Sequence, residues 1–330
     1  MKTKQITCFN SRIVLQATLS FAVIAVTPWI VAQSETPRGP GTEIVVTAVA
    51  GGNSATPVPG IQRNDVRVQV KGKTAEVTGW QKLVAAGDQT QLVVLIDDSL
   101  KAKVSINFND LRDFIQKLPS STQVAIGYMQ YGRAVMATDF STDRAATGKA
   151  IRLPSGIPGG NASPYFCLSD LAKNWPDKGK PATSRVALVI TDGIDRYYRA
   201  GQFDPQDPYV AAAIRDAQVN RIMISSIYFG DAGIGSVGGS MNSAFVGQNY
   251  LQMVAAGTGG TMYFEGISNP VTFVPFLKDL NRQLANQYEV NFQGVGSGLQ
   301  QIKISTETPR VKLAAPQRVV MGQQIPSAGN

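Results

Sequence analysis

Two largely apolar runs of this chain end in acidic residues. Residues 92–96 are followed by Asp97 and Asp98, and residues 185–191 are followed by Asp192. A continuous apolar run is typical of a strand buried on both faces of a parallel sheet. Because the carboxyl ends of parallel strands meet at one edge, these carboxylates can come together there and supply oxygen ligands for a hard divalent cation. Taken singly, each acid is also an ordinary strand-end or turn residue.

Absent and rare residue types exclude several kinds of chemistry. The chain has no histidine, which excludes histidine-based triads, histidine general bases and the usual catalytic zinc sites. Cys8 lies in a segment that we expect to be removed, so only Cys167 remains and no intrachain disulfide is expected. Without a histidine as its base, Cys167 is interpreted as a buried structural thiol. The glycine-rich segment 230–247 lacks the spacing of a phosphate-binding loop.

The first 32 residues have the pattern of a secretory signal peptide. Their start is basic and contains no acid, residues 13–31 are mostly apolar, and Ala32 precedes a polar run. An uncleaved membrane anchor is the alternative, which the polar residues inside the apolar stretch disfavour. We therefore expect an exported protein (periplasmic, cell-surface or extracellular) with no transmembrane segment after cleavage of residues 1–32.

The elements that must position the acids alternate between strand and helix over residues 89–288. Strands are predicted at 92–96, 185–191 and 221–229, and each is followed, after a loop, by a helical pattern. Asp207 stands directly before a proline, which predicts a helix N-cap with proline at the first helical position. The alternation predicts an α/β fold with an open, mostly parallel sheet and helices on both faces.

The two ends of the mature chain have a different pattern. Residues 33–88 and 289–330 contain short segments in which apolar and polar residues alternate, as in half-buried antiparallel strands. Each end is too small to bury a core alone. We predict that the two segments pair into one small antiparallel β-sandwich, with the α/β domain inserted between them.

Residues 91–288 resemble a von Willebrand factor A (VWA) domain in their acid-tipped strands and their order of elements. The flanking segments resemble the secreted bacterial VWA-related family common in acidobacteria. That resemblance rests on Asp65-Val-Arg-Val with Gly72-Lys73, on residues 254–260, and on residues 280–288 leading into a β tail. A VWA domain implies adhesion to a partner and a metal-ion-dependent adhesion site, built from a D-x-S-x-S loop, a Thr from a second loop and an Asp from a third.

This chain matches that adhesion site incompletely. The residues that match or replace its positions are Asp97, Ser99, Asn161, Ser163 and Asp192. Lys101 stands where the final Ser of the first loop is expected, and an ammonium close to carboxylates repels a divalent cation and can take its electrostatic place. The long Lys101 side chain can also turn to solvent. The resemblance therefore implies either an Mg²⁺ or Mn²⁺ site or a degenerate one, and Lys101 favours the degenerate site.

Further residues near the same loops are candidate contacts for a protein partner. They are Asp98, Tyr165, Arg196, Tyr197 and Tyr198. Tyr and Arg are enriched at protein-binding surfaces, although loops packed on the domain explain the tyrosines equally well. Charged residues are scattered without a basic run, so a nucleic-acid partner is not expected.

We expect an exported recognition module, not an enzyme, that binds another protein or a surface polymer through the loops at the carboxyl edge of the sheet. A structural or assembly subunit of the cell envelope is an alternative, because it needs the same exported binding surface. A hydrolase that uses Asp97, Asp98, Lys101 and Asp192 is the third possibility. The absence of histidine and of a nucleophile-elbow motif stands against it.

Overall fold

The computed structural model of the chain describes residues 41–51, 57–83, 89–157, 160–177, 182–198, 202–230, 241–266 and 268–323. The expected signal peptide, with Cys8, and residues 231–240 of the glycine-rich segment lie outside the described residues. The strands in chain order are β1 (Thr42–Ala50), β2 (Val66–Val70), β3 (Lys73–Lys82), β4 (Thr90–Asp97), β5 (Thr122–Gln130), β6 (Arg133–Met136), β7 (Ser184–Thr191), β8 (Ile222–Tyr228), β9 (Met262–Tyr263), β10 (Gln287–Gln293), β11 (Leu299–Thr306), β12 (Val311–Ala314) and β13 (Arg318–Val320). The α-helices are α1 (Phe108–Gln116), α2 (Arg144–Lys149), α3 (Pro164–Lys173), α4 (Pro208–Val219), α5 (Met241–Thr258) and α6 (Val274–Ala285), and short 3₁₀ helices span Arg63–Asp65 and Ala102–Asn107.

The alternating region folds into a sheet with the strand order β6-β5-β4-β7-β8-β9. Strands β5, β4, β7, β8 and β9 run parallel, and β6 pairs antiparallel with β5 at one edge, so the sheet is mixed. The central strand β4 explains the continuous apolar run, because residues 92–96 have no exposed surface. Val94 packs into a core with α1 and α6, and Val93 packs into a second core with α3, α4 and α5. Helices therefore cover both faces, as the alternation predicts.

Strands from the two ends of the chain pair with each other, β1 with β10 and β2 with β11. They do not form the predicted sandwich. They form one antiparallel sheet with the order β12-β1-β10-β3-β2-β11-β13, because the long strand β3 pairs with β2 through residues 73–75 and with β10 through residues 76–82. The sheet curls around a single core to which all seven strands contribute, and there Val46, Val68 and Phe292 are at most 1% exposed.

The curled sheet packs at the amino ends of β7 and β8. Residues from β1, β10 and β13 line a small cavity together with Ser184 and Ile222, where β7 and β8 begin. The Gln317 N–H donates to the carbonyl of Gly257 at 3.0 Å across the same junction. The carboxyl edge of the parallel strands lies at the opposite end and is formed by loops. Among the described helices, none has both the length and the apolar character needed to cross a bilayer.

Candidate functional site

Asp97, the last residue of β4, is fully buried and accepts hydrogen bonds on both carboxylate oxygens. Its Oδ1 accepts from the Ser99 N–H at 2.9 Å and from the Ser99 hydroxyl at 2.6 Å. Its Oδ2 accepts from the Asn161 amide at 2.8 Å and from the Thr191 hydroxyl at 2.7 Å. A carboxylate offers about four lone-pair positions, so these donors occupy them all. The side chain thereby ties β4, β7 and the loop before α3 together.

The ionised form of Asp97 is disfavoured by its surroundings. Burial raises the pKa of Asp97 to about 6, and the negative charge of Asp192 acts in the same direction. Hydrogen bonds from Ser99 and Thr191 oppose the rise in pKa. Asp97 therefore serves as a buried acceptor at the centre of the site.

Asp192 follows β7, is 2% exposed, and is held by the guanidinium of Arg196. The Arg196 Nη2 donates to Oδ2 at 2.5 Å, and Nη1 donates to Oδ1 at 3.3 Å. The Ile194 N–H donates to Oδ1 at 3.0 Å. A two-pronged pair of this kind suits the planar guanidinium and fixes its orientation. Because the Arg196 side chain is 27% exposed, it lies between the buried acid and solvent.

Helix α5 fixes the backbone that carries Asp192. A Cβ on Gly247 would lie 2.2 Å from the carbonyl oxygen of Asp192, and a Cβ on Gly193 would lie 2.6 Å from the carbonyl oxygen of Gly247. Gly193 also has a φ of +66°, which glycine adopts without the steric penalty of a side chain. The two glycines therefore allow helix and loop to touch, and this contact sets the position of the carboxylate.

Asp98 is paired with a second arginine. Its Oδ1 accepts from Arg152 Nη1 at 2.7 Å and from the Ser155 N–H at 3.0 Å, and its Oδ2 accepts from the Gln130 amide at 2.6 Å. The Arg152 guanidinium also lies over the Tyr128 ring, 3.9 Å from its centroid. Burial favours the neutral carboxyl of Asp98, but the hydrogen bonds from Arg152 and Gln130 outweigh burial and hold its pKa below the ordinary value.

The loop before α3 carries two predicted metal ligands, Asn161 and Ser163, and both make structural contacts instead. Ser163 is the N-cap of α3, and its hydroxyl accepts from the Tyr165 N–H at 3.2 Å. Asn161 turns an amide N–H toward Asp97, and its Oδ1 is buried without a hydrogen-bond partner among the described residues. Asn161 therefore directs a hydrogen-bond donor toward Asp97, where a metal ligand would direct its amide oxygen toward the site.

Lys101 is exposed at the start of the 3₁₀ helix Ala102–Asn107. The cation that pairs with Asp192 is Arg196 instead. Of the two positions considered for Lys101, beside the acids or turned to solvent, its exposure favours the second. Arg196 comes from the same loop as the acid, four residues further along the chain, where the guanidinium can fold back onto the carboxylate.

The arrangement of these side chains does not fit a divalent cation. Mg²⁺ needs near-octahedral oxygen ligands, whereas the lone pairs of Asp97 are taken by donors and Asp192 faces a guanidinium. Within the described parts of the chain, no group of three or more His, Cys, Asp or Glu side chains is placed to hold a metal ion.

Two residues expected near the site are buried beneath it. Tyr165 is 0% exposed, donates its hydroxyl to the carbonyl of Gly193 at 2.6 Å and packs edge-on against Tyr250. This corrects the expectation that Tyr165 contacts a partner, since its ring instead supports the Asp192 loop from inside. Cys167 is also buried, and burial raises the pKa of its thiol, as befits the predicted structural cysteine.

Tyr197 and Tyr198 lie on the surface side of the same loop. The carboxylate of Asp195 accepts from their N–H groups at 2.8 and 3.1 Å and so fixes the turn. Both rings pack edge-on against Tyr209, with centroids 5.9 and 5.5 Å from its ring, and Tyr197 also contacts Phe166. Tyr197 keeps 65% of its surface exposed. The loop therefore presents an aromatic ring that its own hydrogen bonds hold in place.

Sequence reasoning missed three residues of the site: Thr191, Gln130 and Arg152. Thr191 directly precedes Asp192 at a strand end, so its position was a usable signal. Arg152 lies 54 residues from Asp98 along the chain, and no motif connects the two. Only the fold brings Arg152 to this edge.

No protein-family model matches the sequence, and no curated protein matches it. Among solved structures, BatB from Bacteroides thetaiotaomicron is 14% identical with a TM-score of 0.43, over 59% of this chain and 97% of that chain. The manganese-loaded TRAP protein of Plasmodium vivax is 14% identical with a TM-score of 0.38, over 72% and 96%. The VWA domain of SpRpn10 is 14% identical with a TM-score of 0.37, over 64% and 100%. At these TM-scores the likenesses carry no argument about this chain.

Proposed function

We propose that this chain is an exported recognition module that binds a protein partner through the loops at the carboxyl edge of its parallel sheet, without a bridging metal ion. The observation that carries the proposal is the forked pair between Asp192 and Arg196. Its guanidinium is partly exposed beside the acid that matches the third-loop Asp of a metal-ion-dependent adhesion site, and this supports a cation of the chain in place of a metal ion. The site is thus a degenerate adhesion site that presents organic cations.

The surface location of the site supports a binding role. The curled sheet packs at the amino ends of β7 and β8, so it leaves the carboxyl edge to loops. Those loops expose Tyr197 and hold it in a turn closed by Asp195. Fixed aromatic rings beside an arginine are typical of protein-binding surfaces.

Export and family membership are part of the proposal. Residues 1–32 carry the signal-peptide pattern that supports secretion, and kinship with the secreted bacterial VWA-related family stays a prediction. We assign no catalytic role, because Asp97, Asp98 and Asp192 are each at most 4% exposed and their oxygens are bound to donors inside the chain. A carboxylate that activates water must be reachable by water.

Site-specific photo-crosslinking tests the proposal. A photoreactive amino acid replaces Tyr197 at the carboxyl edge or, as the matched control, Val295, which is 67% exposed in the turn between β10 and β11. Irradiation of cells that secrete each variant is expected to give a discrete protein adduct from position 197 and none from position 295. The adduct is expected to persist in EDTA. Equal labelling from both positions, or none from 197, would refute the edge as the binding surface.

A further inference from the structure

The exposed charges around the strand-end acids all have one sign. In the described residues of the surrounding segments (98–103, 130–133, 151–157, 160–163 and 191–198), the exposed charged side chains are Lys101, Lys103, Arg133 and Arg152. The acids of the same segments are buried, with Asp98, Asp192 and Asp195 at most 4% exposed and Asp97 at 0%. In the described residues of these segments, the charged side chains that face solvent are therefore all cations, although Glu265, just after β9, is an exposed acid at the same edge of the sheet.

Large apolar side chains are exposed among these cations. They are Tyr131 at 80%, Tyr197 at 65%, and Leu153 and Ile157 at 56% each. Apolar side chains that lie together on a surface mark interaction sites. We call these four residues and the four cations the edge surface.

The turn that carries Tyr131 has a backbone conformation that is unfavourable for a tyrosine. Tyr131 has a φ of 49° and Gly132 a φ of 77°, the backbone of a hairpin turn whose first position favours Asn, Asp or Gly. The loop before α3 fixes this turn, because the carbonyls of Gly160 and Asn161 accept from the N–H groups of Tyr131 and Gly132 at 2.8 and 2.9 Å. The loop therefore holds an exposed tyrosine in a defined position, in a type of turn that Lys71 and Gly72 also form between β2 and β3.

We propose that the edge surface binds an acidic segment of a partner protein in which aromatic or aliphatic side chains stand next to the carboxylates. This inference rests on the proposed function and names the partner's chemistry. The cations of the edge surface can pair with carboxylates of a partner. The exposed apolar side chains can pack against apolar residues, which a protein has and a sugar-phosphate polymer lacks. The hydroxyl-bearing rings of Tyr131 and Tyr197 are typical of contacts with polypeptides, and this favours a protein over a lipid surface.

Random copolymers of defined composition test the chemistry without knowledge of the partner. The mature chain is titrated into labelled poly(Glu,Tyr), poly(Glu) and poly(Lys,Tyr), and binding is followed by fluorescence anisotropy. Poly(Glu,Tyr) is expected to bind about tenfold more tightly than poly(Glu), because ring contacts add to charge pairing. Added salt is expected to weaken its binding, and poly(Lys,Tyr) is expected not to bind.

Variants of exposed residues locate the binding. Lys103→Glu with Arg133→Glu is expected to weaken poly(Glu,Tyr) binding at least about tenfold. The matched control reverses two exposed cations of the curled sheet, Lys73→Glu with Lys303→Glu, and is expected to bind like the unaltered chain. Tyr131→Ala is expected to reduce the preference for poly(Glu,Tyr) over poly(Glu). Unchanged binding in the edge variant would overturn the inference.

Other classes of ligand are outcomes of the same titration. Tighter binding to vesicles of phosphatidylglycerol or to a single-stranded oligonucleotide than to poly(Glu,Tyr) would overturn the acidic-protein inference. Photo-adducts at position 197 without charge-dependent copolymer binding would also overturn it, and would leave the proposed function standing. Absence of those adducts would refute the proposed function itself.

Discussion

Replacement of Arg196 tests whether a guanidinium stabilises the buried acid of the site. Arg196→Met keeps much of the side chain's apolar stem and removes both hydrogen bonds to Asp192. Asp192 is 2% exposed and, among the described residues, then keeps the Ile194 N–H as its one donor. Removal of one partner from a fully buried ion pair costs about 3–5 kcal/mol. Because the Arg196 side chain is 27% exposed, solvent screens part of the interaction between the two charges. We therefore expect the free energy of unfolding to fall by about 2–3 kcal/mol.

Urea unfolding at pH 7 measures this loss, and a double-mutant cycle assigns it. The free energy of unfolding is compared for the unaltered chain, Arg196→Met, Asp192→Asn and the double variant. The double variant is expected to be more stable than the sum of the single losses predicts, with a coupling energy of about 1–3 kcal/mol. Arg152→Met is the matched control at Asp98, which keeps donors from Gln130 and Ser155 and should therefore lose less.

A loss below about 0.5 kcal/mol in Arg196→Met, within the range of ordinary surface substitutions, would refute the reasoning. A coupling energy of zero would do the same, because it would mean that the two side chains do not stabilise each other. A larger loss in Arg152→Met than in Arg196→Met would contradict the ranking derived from the remaining donors.

The remaining predictions concern the supports of the site. Gly247→Ala pushes α5 off the Asp192 carbonyl and is expected to cost about 1–3 kcal/mol in urea unfolding, whereas Gly60→Ala, with no atom within 4 Å of an added Cβ, should cost far less. Ser163→Ala removes the N-cap of α3 and is expected to cost about 1 kcal/mol; full stability would contradict the capping role. Asp97 has a folded pKa of about 6, raised from 3.8, so burial of its charge destabilises the fold above pH 6 and this penalty fades as the pH falls toward 4. Relative to Asp97→Asn, the unaltered chain should therefore gain about 2 kcal/mol between pH 7 and pH 4, and a constant difference across that range would contradict the raised pKa.

The elements of the α/β region could be predicted because each depends on local pattern. The apolar run 92–96 revealed a strand covered on both faces, and Asp207 with its proline revealed the start of α4, where its carboxylate caps two N–H groups. The layout of the outer strands could not be predicted, because alternation of apolar and polar residues is the same in a sandwich and in a curled sheet. The deciding feature is that β3 pairs with β2 and β10 along one strand, and register of this kind leaves no local signature.

The acidic residues of the site could be predicted from the sequence, but the residues that hydrogen-bond to them could not. Asp97 and Asp192 could be predicted as site residues because each follows an apolar strand. Arg152 could not be predicted, because it contacts Asp98 from a position 54 residues away in the sequence. Tyr165 could not be distinguished from Tyr197, because both are tyrosines in loops or at helix starts. Their fates differ through packing alone, since one is 0% and the other 65% exposed.

Direct measurement of Mn²⁺ binding by electron paramagnetic resonance tests the central claim, that Arg196 takes the place of a metal ion beside Asp192. The mature chain is titrated with Mn²⁺ at pH 7, and the same titration is made with Asp192→Ala. We predict no stoichiometric Mn²⁺ site in the unaltered chain and no difference between the two. One Mn²⁺ bound per chain, lost in Asp192→Ala, would contradict the account.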